Sequence, residues 1–304
     1  MGTFNYISAF GTKEDLIKLA DYTIWRHFPW LENQEDKYLI FLRETANRQA
    51  YLIAKWQSVG FIHGVMNTDN TAISGETIDY GPCAFMDTYD PDTVFSSIDR
   101  FGRYAYKNQP GIGAWNLSKF AESLLPLLDE NRDKAIELAN NEIDRYWRCY
   151  TEKWLDCMRA KLGIATPKSS DAELIAELLD VMYKYKLDYT ITFRFLSCID
   201  RKSSLLLDIP EFINWYEKWL SIINLQSQGL DYSVDIMKKH NPAVIPRNHR
   251  VEEALAEAEQ GNFAVLDNLL NALRHPYDDS NHPSIYSIAP DAAACCGYKT
   301  FCGT

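Results

Sequence analysis

From Thr12 onward, hydrophobic residues recur at intervals of three and four, and the pattern gives way clearly at residues 61–82. Such periodicity commits a chain to amphipathic helices packed through their apolar stripes. Thr12, with Asp15 three positions on, is a capping signature ahead of Leu16, Leu19, Ala20, Ile24 and Phe28, and that helix should stop before Pro29. A longer helix is expected over about 35–59. Its stripe is Leu39, Leu42, Ala46, Ala50, Ile53 and Trp56, and Gly60 ends it. Trp115 should open another, 133–161 a long aromatic-rich one, and Asp171 should cap a helix running through Met182. Further helices are expected at 188–199, 211–228, 249–259 and 263–273, followed by an irregular tail at about 276–304. No repeat or linker divides the chain, so the expected fold is a single mainly α domain over 1–304.

Composition narrows the function classes. Lys and Arg total 31 against 42 Asp and Glu, a net charge of −11. A field of that sign repels nucleic acid and anionic membrane, so neither is an expected partner. No apolar run reaches the length of a membrane span, and the first residues lack the pattern of a signal peptide. The seven cysteines are scattered, an odd count with no CxxC pair, which fits a reducing, cytoplasmic setting and argues against structural zinc.

The interrupted segment, FIHGVMNTDNTAISGETIDYGP, is where reactive side chains should sit. Ser74-Gly75 reads as a tight turn between short strands at Ala72-Ile73 and Thr77-Ile78. Asn70 and Asp79 flank that hairpin, so their oxygens can converge on one cation. A carboxylate, an amide oxygen, water and nucleotide phosphates suit Mg²⁺ or Mn²⁺. The spacing is similar to that of protein kinases. His63 precedes Asn70 by seven residues, as in H-R-D-x-x-x-x-N, and Asp79-Tyr80-Gly81 stands where kinases carry D-F-G. Val65 occupies the position of the kinase base, and Asp69 is the nearby carboxylate able to replace it.

HGVMNTDN followed by TIDYGP resembles the selenoprotein O (YdiU-type) family of kinase-fold protein adenylyltransferases. GTFNYISAFG, RQAYLIAKWQSVGF, NQPGIGAWNL, YWRCYTEKW, DYTITFRFL and NPAVIPRNHRVEEAL extend the resemblance over essentially the whole chain, in family order. It implies a kinase-like C-terminal lobe, with Asp69 as proton acceptor, Asn70 and Asp79 as Mg²⁺ ligands, and Asp79 close to the nucleotide phosphates. It implies transfer of AMP, or UMP, from the triphosphate to Ser, Thr or Tyr hydroxyls of proteins. It also implies that the Gly-rich loop, its Lys and Glu, and the phosphate-binding arginines lie upstream of Met1, so activity of this chain alone is expected to be incomplete. The rival expectations are a non-catalytic binding protein built on the same lobe, and a metal-dependent phosphohydrolase using Asp69 and Asp79.

Other residues carry plainer expectations. His63 should be a structural hydrogen-bonder and Asn67 a loop-fixing side chain. Asp87, Asp90 and Asp92 read as a solvated turn around Pro91. Arg100 and Arg103 have carboxylates nearby to pair with, and Arg247 to Arg250 should pack against the lobe. Tyr146, Trp147 and Trp154 read as packing aromatics. Cys302 stands about where selenocysteine-containing relatives carry selenium, with Cys83 as one candidate partner.

Overall fold

The computed structural model describes residues 1–198, 205–278, 283–290 and 298–301. The expectations for Cys295, Cys296 and Cys302 fall outside the described residues. Among those described, eleven α-helices dominate and one antiparallel sheet of two short strands accompanies them, as a mainly α fold requires.

Helix α1 (Gly2–Phe10) was not expected, because its sequence carries few charges to mark a solvent face. Helix α2 (Lys13–His27) begins as predicted: the Thr12 hydroxyl accepts from the Asp15 amide, and the Asp15 carboxylate accepts from the Thr12 amide. Helix α3 (Lys37–Val59) runs into Gly60, whose φ of 72° turns the chain sharply out of the helix. Strand β1 (Phe61–Ile62) follows at once and pairs with β2 (Ala84–Phe85), Phe61 opposite Phe85 and Ile62 opposite Ala84.

Helix α4 (Gln109–Leu128) starts six residues before the expected Trp115, because Pro110 occupies its first turn. Helix α5 (Arg132–Lys161) is capped by the Asn131 carboxamide and spans thirty residues. Helix α6 (Asp171–Lys184) corrects one expectation. Asp171 is buried within the first turn, where its carboxylate accepts from the Lys168 amide and the Arg159 guanidinium, so it does not act as the N-cap. Helices α7 (Tyr189–Leu196), α8 (Pro210–Asn224), α9 (Gly229–His240), α10 (Asn248–Glu259) and α11 (Ala264–Leu273) complete the set.

Two apolar clusters meet along α5. One packs α1 to α4 around Phe4, Phe41 and Phe120, with the Phe120 ring meeting the other two edge to face. The other gathers the C-terminal part of α5 with α6 to α9 around Trp215 and Trp219, whose indole N–H groups donate to the Leu174 and Leu162 carbonyls. Tyr146 is buried and donates to the Pro110 carbonyl, and Trp154 packs on the second cluster, whereas Trp147 is partly exposed. On α5, Glu142 takes a two-pronged bond from Arg43 on α3 with its carboxylate almost sealed from solvent.

Arg247 is buried as expected, and it overturns the reading of Asp87 as solvated. Its guanidinium bonds both Asp87 and Asp188, and Asp188 also caps α7 through the Ile191 amide. Burial pushes the Asp87 carboxyl above the usual range, while Arg247 pulls it back. Asp90 and Asp92 do form a surface turn, with Asp92 paired to Lys107 at 2.5 Å. Arg103 also departs from expectation. It makes no ion pair among the described residues and lies over Trp115, 4.8 Å from the ring centroid.

Candidate functional site

The interrupted segment leaves β1 and returns to β2, so the two-stranded sheet closes the base of a loop over 63–83. The expected hairpin is reduced to a single bridge. Thr71 pairs antiparallel with Thr77 around a turn in which the Gly75 amide bonds the Ala72 carbonyl. The five residues between the bridge partners form the turn and add no second pair, so Ala72-Ile73 and Thr77-Ile78 are not strands. The bridge still sets Asn70 and Ile78 as the residues leaving it side by side.

Buried amides from the surrounding helices fix this loop. On α4, Gln109 accepts from the His63 amide at 3.0 Å and donates to the Phe61 carbonyl at 3.0 Å. Asn116 donates to the Met66 carbonyl and the Thr71 hydroxyl. From α3, Gln49 donates to the Ala72 carbonyl at 2.6 Å. Each of these side chains is buried and satisfies backbone groups that no sheet covers. Sequence reading missed all three, because a lone amide on a helix has no pattern.

His63 is fully buried between Trp56 and Phe61, and its Nε2–H donates to the Ile78 carbonyl at 2.8 Å. Its role is structural, as expected. Burial lowers its pKa, against smaller opposing effects of the Ile78 carbonyl and Asp79. The neutral ring leaves Nδ1 buried and without a partner. Gly64 follows with φ 85°, and a Cβ there would lie 2.6 Å from the Pro82 carbonyl oxygen. The loop and the segment after Asp79 touch at that point, and only glycine allows it.

Asp69 is exposed, and its carboxylate lies against Gly2, the first residue of α1. The backbone joins the two segments as well, since the Gly2 amide donates to the Thr68 carbonyl at 2.9 Å. Asn70 is half-buried. Asn67 accepts from its amide at 2.9 Å, which bears out the loop-fixing role of Asn67. The Asn70 Nδ2 donates to the Val65 carbonyl at 3.1 Å, so its Oδ1 points away from that bond and accepts no hydrogen bond among the described residues. Asp79 is exposed and holds φ 57°, a left-handed conformation that costs a non-glycine residue about 1–2 kcal/mol. Together, the His63 bond to Ile78 and the Thr71–Thr77 bridge carry Asn70 and Asp79 on one braced loop.

Among the described residues, no group of three His, Cys, Asp or Glu could hold a metal ion. The Asn70 Oδ1 and the Asp79 carboxylate suit a hard cation that takes its remaining ligands from phosphate and water. Cys83 stands close by. Burial pushes its thiol up to about 11, with Asp79 adding to the effect, and its S–H donates to the Tyr80 carbonyl. Thr300, near the other end of the chain, donates to the neighbouring Pro82 carbonyl at 2.7 Å. Among the described residues, no helix is long and apolar enough to cross a membrane.

Comparison with known proteins bears on the same loop. The family model described as protein adenylyltransferase SelO matches residues 1–274. The protein nucleotidyltransferase YdiU of Geobacillus kaustophilus is 54% identical over 305 residues, which cover 100% of this chain and 63% of that relative. Those of Halalkalibacterium halodurans and Clostridium beijerinckii are also 54% identical, with the whole chain matched and 62% of each relative covered. The chain therefore spans a little over three-fifths of the length of these relatives. The family match runs unbroken through the helices that brace the loop and through Asp69, Asn70 and Asp79, and the chain belongs to the SelO family of protein adenylyltransferases.

Proposed function

We propose that the loop over 63–83 is the metal and proton-transfer side of a nucleotidyltransferase site. It would move AMP from ATP to a Ser, Thr or Tyr hydroxyl of a protein. Family membership and the relatives' activity as protein nucleotidyltransferases support the reaction class. One observation on this chain carries the assignment of residues: Asn70 stands next to the Thr71–Thr77 bridge and Asp79 follows Ile78 on its other side, with the Asn70 Oδ1 and the Asp79 carboxylate in no hydrogen bond among the described residues.

The Asn70 Oδ1 and the Asp79 carboxylate would hold Mg²⁺ or Mn²⁺. Such an ion, when bound, supplies positive charge against the phosphates. The exposed Asp69 carboxylate takes the proton from the acceptor hydroxyl as its oxygen attacks the α-phosphorus. The bond from that oxygen to the α-phosphorus forms, the bond to the bridging oxygen breaks, and pyrophosphate leaves. Asn67, Gln49 and Asn116 hold the loop so that the carboxylate is already in place when the hydroxyl arrives.

The test uses ATP labelled at either the α- or the γ-phosphate, with Mg²⁺ and a protein acceptor. It is run on this chain and on a chimera supplying the remaining part of the Geobacillus kaustophilus relative. Label from the α position should enter protein in the chimera and disappear with Asp69→Asn. Transfer of γ label would make the site a kinase. Free phosphate without protein labelling would make it a hydrolase. Absence of transfer in both forms would leave a binding protein.

A further inference from the structure

Lys161 ends α5 with only 1% of its surface exposed, and it forms no ion pair or side-chain hydrogen bond among the described residues. Its Nζ lies 4.1 Å from the Phe193 ring centroid and 5.2 Å from that of Tyr189. Two aromatic faces offset only part of the cost of desolvating an ammonium. The residue lines a cavity of about 430 Å³.

The rest of that cavity has the same sign. Lys55 on α3 and Lys239 and His240 on α9 also line it, and neither Lys55 nor Lys239 forms an ion pair among the described residues. No carboxylate is among the described lining residues, in a chain whose net charge is −11. The His240 Nδ1–H is committed to the Ile236 carbonyl at 2.8 Å, and Nε2 forms no hydrogen bond among the described residues. Cys157, one turn before Lys161, does not supply the missing negative charge, because burial pushes its thiol up and keeps it protonated. Lys55 Nζ also lies 5.5 Å from the Tyr51 ring centroid. Three lysines lining one cavity with no carboxylate among its described lining residues favour an anion that joins them.

We propose that this cavity is an anion site for a phosphate-bearing small molecule, held by Lys161 at its floor and by Lys55 and Lys239 at its rim. A multiply charged phosphate group fits the set because it can accept from several ammonium donors at once. Thr77 and Tyr80 form part of the wall, so the site abuts the segment that carries Asp79 while using none of Asp69, Asn70 or Asp79. It stands or falls independently of the metal site.

The test is calorimetric titration of the whole 304-residue chain with inorganic pyrophosphate, with chelator present so that no metal contributes. Wild type and Asp79→Ala should bind alike. Lys161→Met, an unbranched side chain one atom shorter and without the ammonium, should bind at least about tenfold more weakly, and Lys239→Ala about threefold, as expected for charge-assisted contacts. No binding by the wild type, unchanged binding by Lys161→Met, or loss of binding in Asp79→Ala would each overturn the proposal. Should Lys161→Met lose its circular dichroism signal, acetylation of the wild-type chain near neutral pH decides. The burial that lowers the Lys161 pKa to about 7 makes that amine reactive there. Pyrophosphate should slow its modification severalfold, and equal rates with and without pyrophosphate would contradict the site.

Discussion

The imidazole of His63 donates from Nε2 to the Ile78 carbonyl at 2.8 Å, and this bond ties the strand that enters the loop to the residue before Asp79. His63→Phe keeps the ring packing against Trp56 and Phe61 and removes only the donor. The acid limb of stability then changes in a defined way. Burial holds the folded pKa of His63 below its unfolded value of 6.5, so the unfolded chain takes up the proton first and stability falls as pH drops below about 6.5. Urea denaturation between pH 7 and 5 should show a shallower loss for His63→Phe than for wild type.

Asp69 and Gly2 form a second close relationship. A Cβ on Gly2 would lie 1.7 Å from Asp69 Oδ1, so Gly2→Ala must push the carboxylate aside while asking nothing new of the helical backbone. Thermal stability should change by only about 1 kcal/mol. Nucleotide transfer in the chimera should fall to the level of Asp69→Asn. Full transfer by Gly2→Ala would show that the position of Asp69 is immaterial.

Gln109 satisfies two backbone groups of the strand that leads into the loop, the Phe61 carbonyl and the His63 amide. Gln109→Leu leaves both buried and unpaired, and should cost about 2–4 kcal/mol in chemical denaturation. Gln109→Glu retains the acceptor for the His63 amide and loses only the donor, so it should fall between wild type and Leu.

Lys161 makes the opposite prediction. An amine whose pKa drops from 10.5 to about 7 on folding destabilises the folded chain wherever the unfolded chain is protonated and the folded one is not. Its penalty is largest at and below pH 7 and fades as pH rises to 10.5. In the absence of anions, Lys161→Met should therefore be more stable than wild type at pH 7. The difference should shrink by about 1.4 kcal/mol per pH unit toward pH 10.

Much of this architecture can be read directly from the residues. The Thr12–Asp15 capping box, the long stripe of α3 ending at Gly60, and α5 all follow from local spacing. His63, Asn67, Asn70 and Asp79 stand out because turn-forming residues interrupt a helical pattern. What escapes is long-range. The pairing of Phe61–Ile62 with Ala84–Phe85 involves strands too short to show a period. Gln49, Gln109 and Asn116 acquire their role only once α3 and α4 enclose the loop. Asp87 looks like a surface turn until Arg247, 160 residues later, reaches it. Lys161, at the charged end of an amphipathic helix, has the sequence appearance of a solvated lysine.

A nucleotidyltransferase site on this loop requires Asn70 and Asp79 to share one cation. Electron paramagnetic resonance of Mn²⁺ titrated with ATP into wild type, Asn70→Ala and Asp79→Ala measures this directly. Both substitutions should weaken Mn²⁺ binding by about tenfold or more while the helical signal is retained. Wild-type affinity in either variant would contradict the shared site.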